Sequence, residues 1–61
     1  MELDNWVIKD ANSQNIVHFY GCRIDVKDNG VLVVLKYNED KNCWSPIAYY
    51  GRRQWVFAKK H

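Results

Sequence analysis

Three absences narrow the chemistry open to this chain. Its three glycines, Gly21, Gly30 and Gly51, stand singly, so there is no glycine-rich loop of the kind that cradles phosphate. Its two cysteines, Cys22 and Cys43, could form one disulfide, but without an export signal a reduced pair is the expectation. No stretch is long and apolar enough to cross a membrane, and the acidic opening Met1-Glu2-Leu3-Asp4-Asn5 lacks the basic and apolar regions of an export signal. These features lead to the expectation of a cytoplasmic protein with reduced thiols, with Cys22 in the core.

Metal binding would have to recruit His18, Cys22, Cys43 and His61; the one closely spaced pair, His18 and Cys22, lies in a strand pattern that sets them about 13 Å apart, so no knuckle offers two ligands. A cysteine nucleophile would need an oriented base, and nothing in the sequence orients His18. Asp25 and Asp28 flank a turn, where acids serve turn geometry and solubility. A chain of 61 residues also lacks the volume for a deep substrate pocket. The expectation is no catalytic residue, no metal, no cofactor and no small-molecule substrate.

Charge of one sign is missing from the last third. All seven carboxylates precede Lys41, where they face four bases for a net charge of −3, while Lys41 to His61 holds five bases and no acid. Such asymmetry points to a polyanionic partner, or equally to an acidic first strand folded against a basic last one.

Aromatic residues are plentiful: three Trp, four Tyr and two Phe. A chain this short buries only about 60% of the surface it exposes when unfolded, and aromatic packing is the reinforcement on offer. Residues 1–61 are read as a single small β-rich domain.

Asn29-Gly30 sits between two alternating apolar segments and predicts a β-hairpin from Cys22 to Tyr37. Read as a two-residue type I′ turn, it sets Val26 opposite Val33, Ile24 opposite Leu35 and Cys22 opposite Tyr37 on one face. The other face then pairs Lys27 with Leu32, Asp25 with Val34 and Arg23 with Lys36, leaving Leu32 and Val34 as a possible oligomer face. Trp6 to Asp10 reads as a first strand, Asn12 to Asn15 as a turn, and Ile16 to Tyr20 as a second strand. The lone Gly21 marks a bulge or bend before the hairpin arm. A third strand, Val31 to Tyr37, ends in the polar loop Asn38 to Asn42.

The segment from Trp44 to His61 admits two readings. As a helix it has Ser45 for an N-cap and Pro46 at the first helical position, but Gly51 interrupts it. As two strands, Ile47 to Tyr50 and Gln54 to Lys59 flank a turn at Gly51-Arg52-Arg53, and Trp55-Val56-Phe57 echoes Trp6-Val7-Ile8. The preferred expectation is all-β: a small antiparallel five-stranded meander, or a partly closed barrel of the SH3- or OB-like kind. The alternative is a three-stranded antiparallel sheet plus a carboxyl-terminal helix. The expected core is Trp6, Ile8, Ile24, Val26, Val33, Leu35 and Val56.

For function the expectation is non-catalytic binding: an inhibitor or adaptor, of the size common in phages and mobile elements, that grips a larger protein through a basic aromatic surface. Trp44, Tyr49, Tyr50, Arg52, Arg53, Lys59 and Lys60 are the candidate contacts, because Trp, Tyr and Arg are the types enriched at interface hot spots. The alternative assigns the same basic aromatic segment to nucleic acid, with cations on phosphates and rings on bases. A homodimer is the simplest form of the protein-binding reading.

Overall fold

A computed structural model describes residues 4–61. The opening residues Met1 to Leu3, on which the no-leader reading rests, lie outside them. Five strands form one antiparallel sheet that is not closed into a barrel: β1 (Asp4–Asp10), β2 (Ile16–Val26), β3 (Leu32–Asn38), β4 (Cys43–Tyr50) and β5 (Trp55–Lys60), in the order β4-β3-β2-β1-β5. The first four strands are a meander. The fifth returns to the free side of β1, where Ile8 stands opposite Ala58 and Trp6 opposite Lys60. The residues from Trp44 onward are therefore strand, turn and strand, and the helical alternative fails. Among the described residues no helix is long and apolar enough to cross a membrane.

The short connection Gly51–Gln54 joins the two edges of the sheet and forces it to curl. In a flat sheet β4 and β5 would lie four strand spacings apart, about 19 Å. Here the connection folds back on itself, with the Gln54 amide donating to the Gly51 carbonyl at 2.9 Å. Bulges supply the curvature. In β2 the extra residue falls at Tyr20-Gly21, where Gly21 has φ 66° and donates its amide to Asn5 Oδ1 at 3.0 Å. The bulge read from this lone glycine is present. It reverses the alternation, so that Phe19 and Cys22 both face inward while His18 faces out.

Two more bulges lie on the edge strands and correct the expected core. Leu35 stands opposite Pro46 and Val34 opposite Ala48, which leaves Ile47 as the extra residue of β4. Proline fits there because an edge strand has amides that no ladder requires. Lys9 stands opposite Phe57 and Asp10 opposite Trp55, which leaves Val56 as the extra residue of β5. Trp55 therefore packs against the core in place of Val56, which is 53% exposed.

The β2–β3 turn also differs from expectation. The Gly30 amide donates to the Lys27 carbonyl and the Lys27 amide to the Val31 carbonyl, at 2.9 and 2.8 Å, so three residues form the loop instead of two. Only Gly30 (φ 88°) takes positive φ, whereas a type I′ turn requires it at Asn29 as well. Asn29 instead accepts the Val31 amide through Oδ1 at 3.2 Å. The extra loop residue moves the register by one: Val26 pairs with Leu32, Ile24 with Val34, Arg23 with Leu35 and Cys22 with Lys36. A slip of one exchanges the faces. Leu32 and Val34 are accordingly fully buried (0% exposed), not an oligomer face.

The inner face holds Ile8, Cys22, Leu32 and Val34, with Phe19, Ile24, Ala48, Tyr50, Trp55 and Ala58 packed around them. Of the expected core, Ile8 and Val33 are buried, Trp6, Ile24 and Leu35 are half-buried, and Val26 is exposed at the rim. Two loops share one design. Asp10 Oδ1 accepts the amides of Asn12 and Ser13, and Asn38 Oδ1 accepts those of Asp40 and Lys41. Each loop closes on a left-handed residue, Gln14 or Asn42.

Candidate binding surface

With Leu32 and Val34 turned inward, alternation points Val33, Leu35 and Tyr37 to the outer face of β3. Trp44 stands opposite Tyr37 and Tyr49 opposite Val33 on β4, while Arg23 stands opposite Leu35 on β2. These side chains form one connected strip. The Arg23 guanidinium lies 5.0 Å from the centroid of the Trp44 ring, and Trp44 meets Tyr37 edge to face at 5.6 Å. The Tyr37 hydroxyl donates to Asn42 Oδ1, which anchors the far end of the strip to the β3–β4 loop.

Beside this stack the surface is open and apolar. Ile47, lifted out by the β4 bulge, is 51% exposed and Tyr49 is 66% exposed. A shallow groove of about 280 Å³ lies at this edge of the sheet, lined by Tyr37, Asn38 and Ile47 and by Lys36 and Ser45, which the register turns toward the inner side. Asp25, next along the same face, pairs with Lys27 at 2.6 Å. That hydrogen bond and the Asp25 charge raise the Lys27 ammonium above its ordinary pKa. The flat rings and the held guanidinium are side chains of the types enriched where proteins meet other surfaces.

The seven residues expected to act together are dispersed over the molecule. Trp44 and Tyr49 belong to the strip. Tyr50 faces inward opposite Leu32, and burial, aided by the charge of Asp10, pushes its phenol above the ordinary tyrosine pKa. Arg52 and Arg53 lie in the exposed β4–β5 turn, with the Arg52 stem lying over Gly30. Lys59 stands on the outer face of β5 opposite Val7, and Lys60 pairs with Asp4 at 3.5 Å. Among the described residues this last contact is the ion pair that joins the acidic first strand to the basic last one.

Arg23, Tyr37 and Ile47 were missed as contacts. Arg23 and Tyr37 became visible once the hairpin register was corrected, and the signal was present in Asp28-Asn29-Gly30, a fitting sequence for a three-residue loop with glycine last. The two thiols are set apart, Cys22 buried on the inner face and Cys43 exposed at the start of β4.

Fold and surface together define a small all-β protein with an open, curled five-stranded sheet whose outer face carries an aromatic strip, half-buried at Tyr37 and Trp44 and exposed at Tyr49. Compared with protein-family models, with characterised proteins and with solved structures, the chain matches none.

Proposed function

We propose that the chain is a non-catalytic binding protein, an inhibitor or adaptor that docks a larger protein on the outer face of β2, β3 and β4. The observation that carries this reading is the Arg23–Trp44–Tyr37 stack beside the exposed Ile47 and Tyr49. Trp, Tyr and Arg dominate the energetics of protein interfaces when they sit together in a region that a partner can dehydrate. Stacking holds the guanidinium before any partner arrives, so less side-chain freedom is lost on docking. The groove beside Tyr37 and Ile47, whose lining also includes Lys36, Asn38 and Ser45, offers an adjoining recess with both apolar and polar groups.

A pull-down from host lysate, with and without nuclease, tests the proposal when repeated with Tyr49→Ala and Arg23→Ala, both exposed positions. One protein retained through nuclease treatment and lost with either variant is the expected result. Retention unaffected by both variants, or capture that disappears with nuclease, overturns it.

A further inference from the structure

The opposite half of the sheet has an outer face that the docking strip does not use. Register lays out its rows across β2, β1 and β5: Ile16, Lys9 and Phe57, then His18, Val7 and Lys59. At the end of the sheet Asn5 lies between Gly21, whose amide its side chain accepts, and His61, whose amide its carbonyl accepts at 2.9 Å. Val7 is buried at the centre. Around it the rings are ordered against one another: His18 stacks on Tyr20 with centroids 6.0 Å apart and planes 12° apart, and His61 meets His18 edge-on at 5.6 Å. Tyr20 is nonetheless 64% exposed.

Among the described residues the side-chain charges in these rows are of one sign. Lys59 lies over Phe57, its ammonium 5.5 Å from the ring centroid, and Lys9 stands opposite Phe57 from β1. Among the described residues neither lysine is in an ion pair, and no side-chain carboxylate stands among these rows. The neighbouring acids are engaged elsewhere: Asp4 with Lys60, and Asp10 with the amides of Asn12 and Ser13.

Exposed rings held parallel, flanked by cations without counter-charges, complement a ligand with flat apolar faces strung on a negative backbone. We propose that this face binds single-stranded nucleic acid, with Tyr20 and His18 as the stacking platform for unpaired bases and Lys9 and Lys59 on the phosphates. A duplex keeps its base faces stacked inside, so it can meet the lysines with phosphates but offers no base to the rings. Rows two residues apart along a strand are separated by about 6.7 Å, which gives room for the two or three bases that an aromatic sheet face accommodates. The residues differ from those of the protein-docking strip, so either proposal can fail without the other.

Fluorescence anisotropy of the intact protein with a labelled oligothymidylate, its oligouridylate counterpart and a matched duplex tests this at about 50 and 200 mM salt. Single strands should bind more tightly than duplex and weaken with salt. Tyr20→Ala should cost at least about fivefold in affinity, and Lys9→Glu with Lys59→Glu should flatten the salt dependence by about 0.7 log units per log unit of salt for each lysine. Glu39→Gln, exposed in the β3–β4 loop and part of neither surface, should leave the affinity unchanged, and circular dichroism of each variant checks that the fold persists. No binding at the lower salt, equal binding to duplex, or a loss produced by Arg52→Ala with Arg53→Ala but not by Tyr20→Ala overturns the assignment. So does nuclease-resistant capture of a protein that Tyr20→Ala abolishes.

Discussion

The Trp55 indole nitrogen donates to the Gly30 carbonyl at 3.0 Å, across a separation of 25 residues. One partner begins the last strand and the other closes the β2–β3 turn, so this bond fastens one end of the curled sheet. Replacing Trp55 with Phe keeps a ring against the core but leaves the Gly30 carbonyl without this donor. Urea unfolding should show a loss of about 0.5 to 1.5 kcal/mol, and Trp55→Ala, which also removes the half-buried ring from the core, a larger loss.

Gly30 is constrained twice. Its φ of 88° disfavours any side chain, and an added Cβ would lie 3.0 Å from Arg52 Cγ. Gly30→Ala should therefore destabilise by more than about 1 kcal/mol. Combining it with Arg52→Ala should recover the steric part and leave the backbone part, which a double-mutant cycle separates.

Tyr50 makes stability sensitive to alkali. Its folded-state pKa is raised above the ordinary value of 10.0, first by burial and then by Asp10, so the folded state holds the phenolic proton more tightly than the unfolded chain does. The contribution is fully present below the unfolded pKa and is lost as pH rises through the folded one. The urea midpoint should fall as pH climbs above about 10, and Tyr50→Phe should remove this part of the fall.

Leu32→Ala should cost about 2 to 5 kcal/mol, comparable with the whole stability that a core of this size supplies, about 3 to 5 kcal/mol. Leu32→Asp should abolish folding, seen as loss of the cooperative thermal transition, where an exposed dimer face would have changed mass and kept the fold.

Much of the architecture was legible because it rests on local signals. Gly21 announced its bulge, Asn38 to Asn42 its loop, and the likeness of Trp6-Val7 to Trp55-Val56 the two strands that now lie side by side. The register of the hairpin was not legible from Asn29-Gly30 alone, because two-residue and three-residue loops both end well in glycine. That one residue decided which face of β3 was core and which was strip. The bulges at Ile47 and Val56 depend on partners opposite them in space, Leu35 and the Lys9-Asp10 pair, and no nearby residue encodes them. The scatter of the basic residues has the same origin: Arg52, Lys59 and Lys60 are close in sequence, but turn and strand alternation send them to different sides.

The pairing of β1 with β5 also governs the order in which the chain can become stable. The hairpins β1–β2, β2–β3 and β3–β4 join neighbouring segments and can form early, since local contacts cost least to close. Ile8, however, gains its partner Ala58 only when nearly the whole described chain has been made. Until then one edge of β1 is bare and the core is open on that side. Folding on the ribosome should therefore remain reversible and protease-sensitive until the last strand emerges, and then become cooperative in one step.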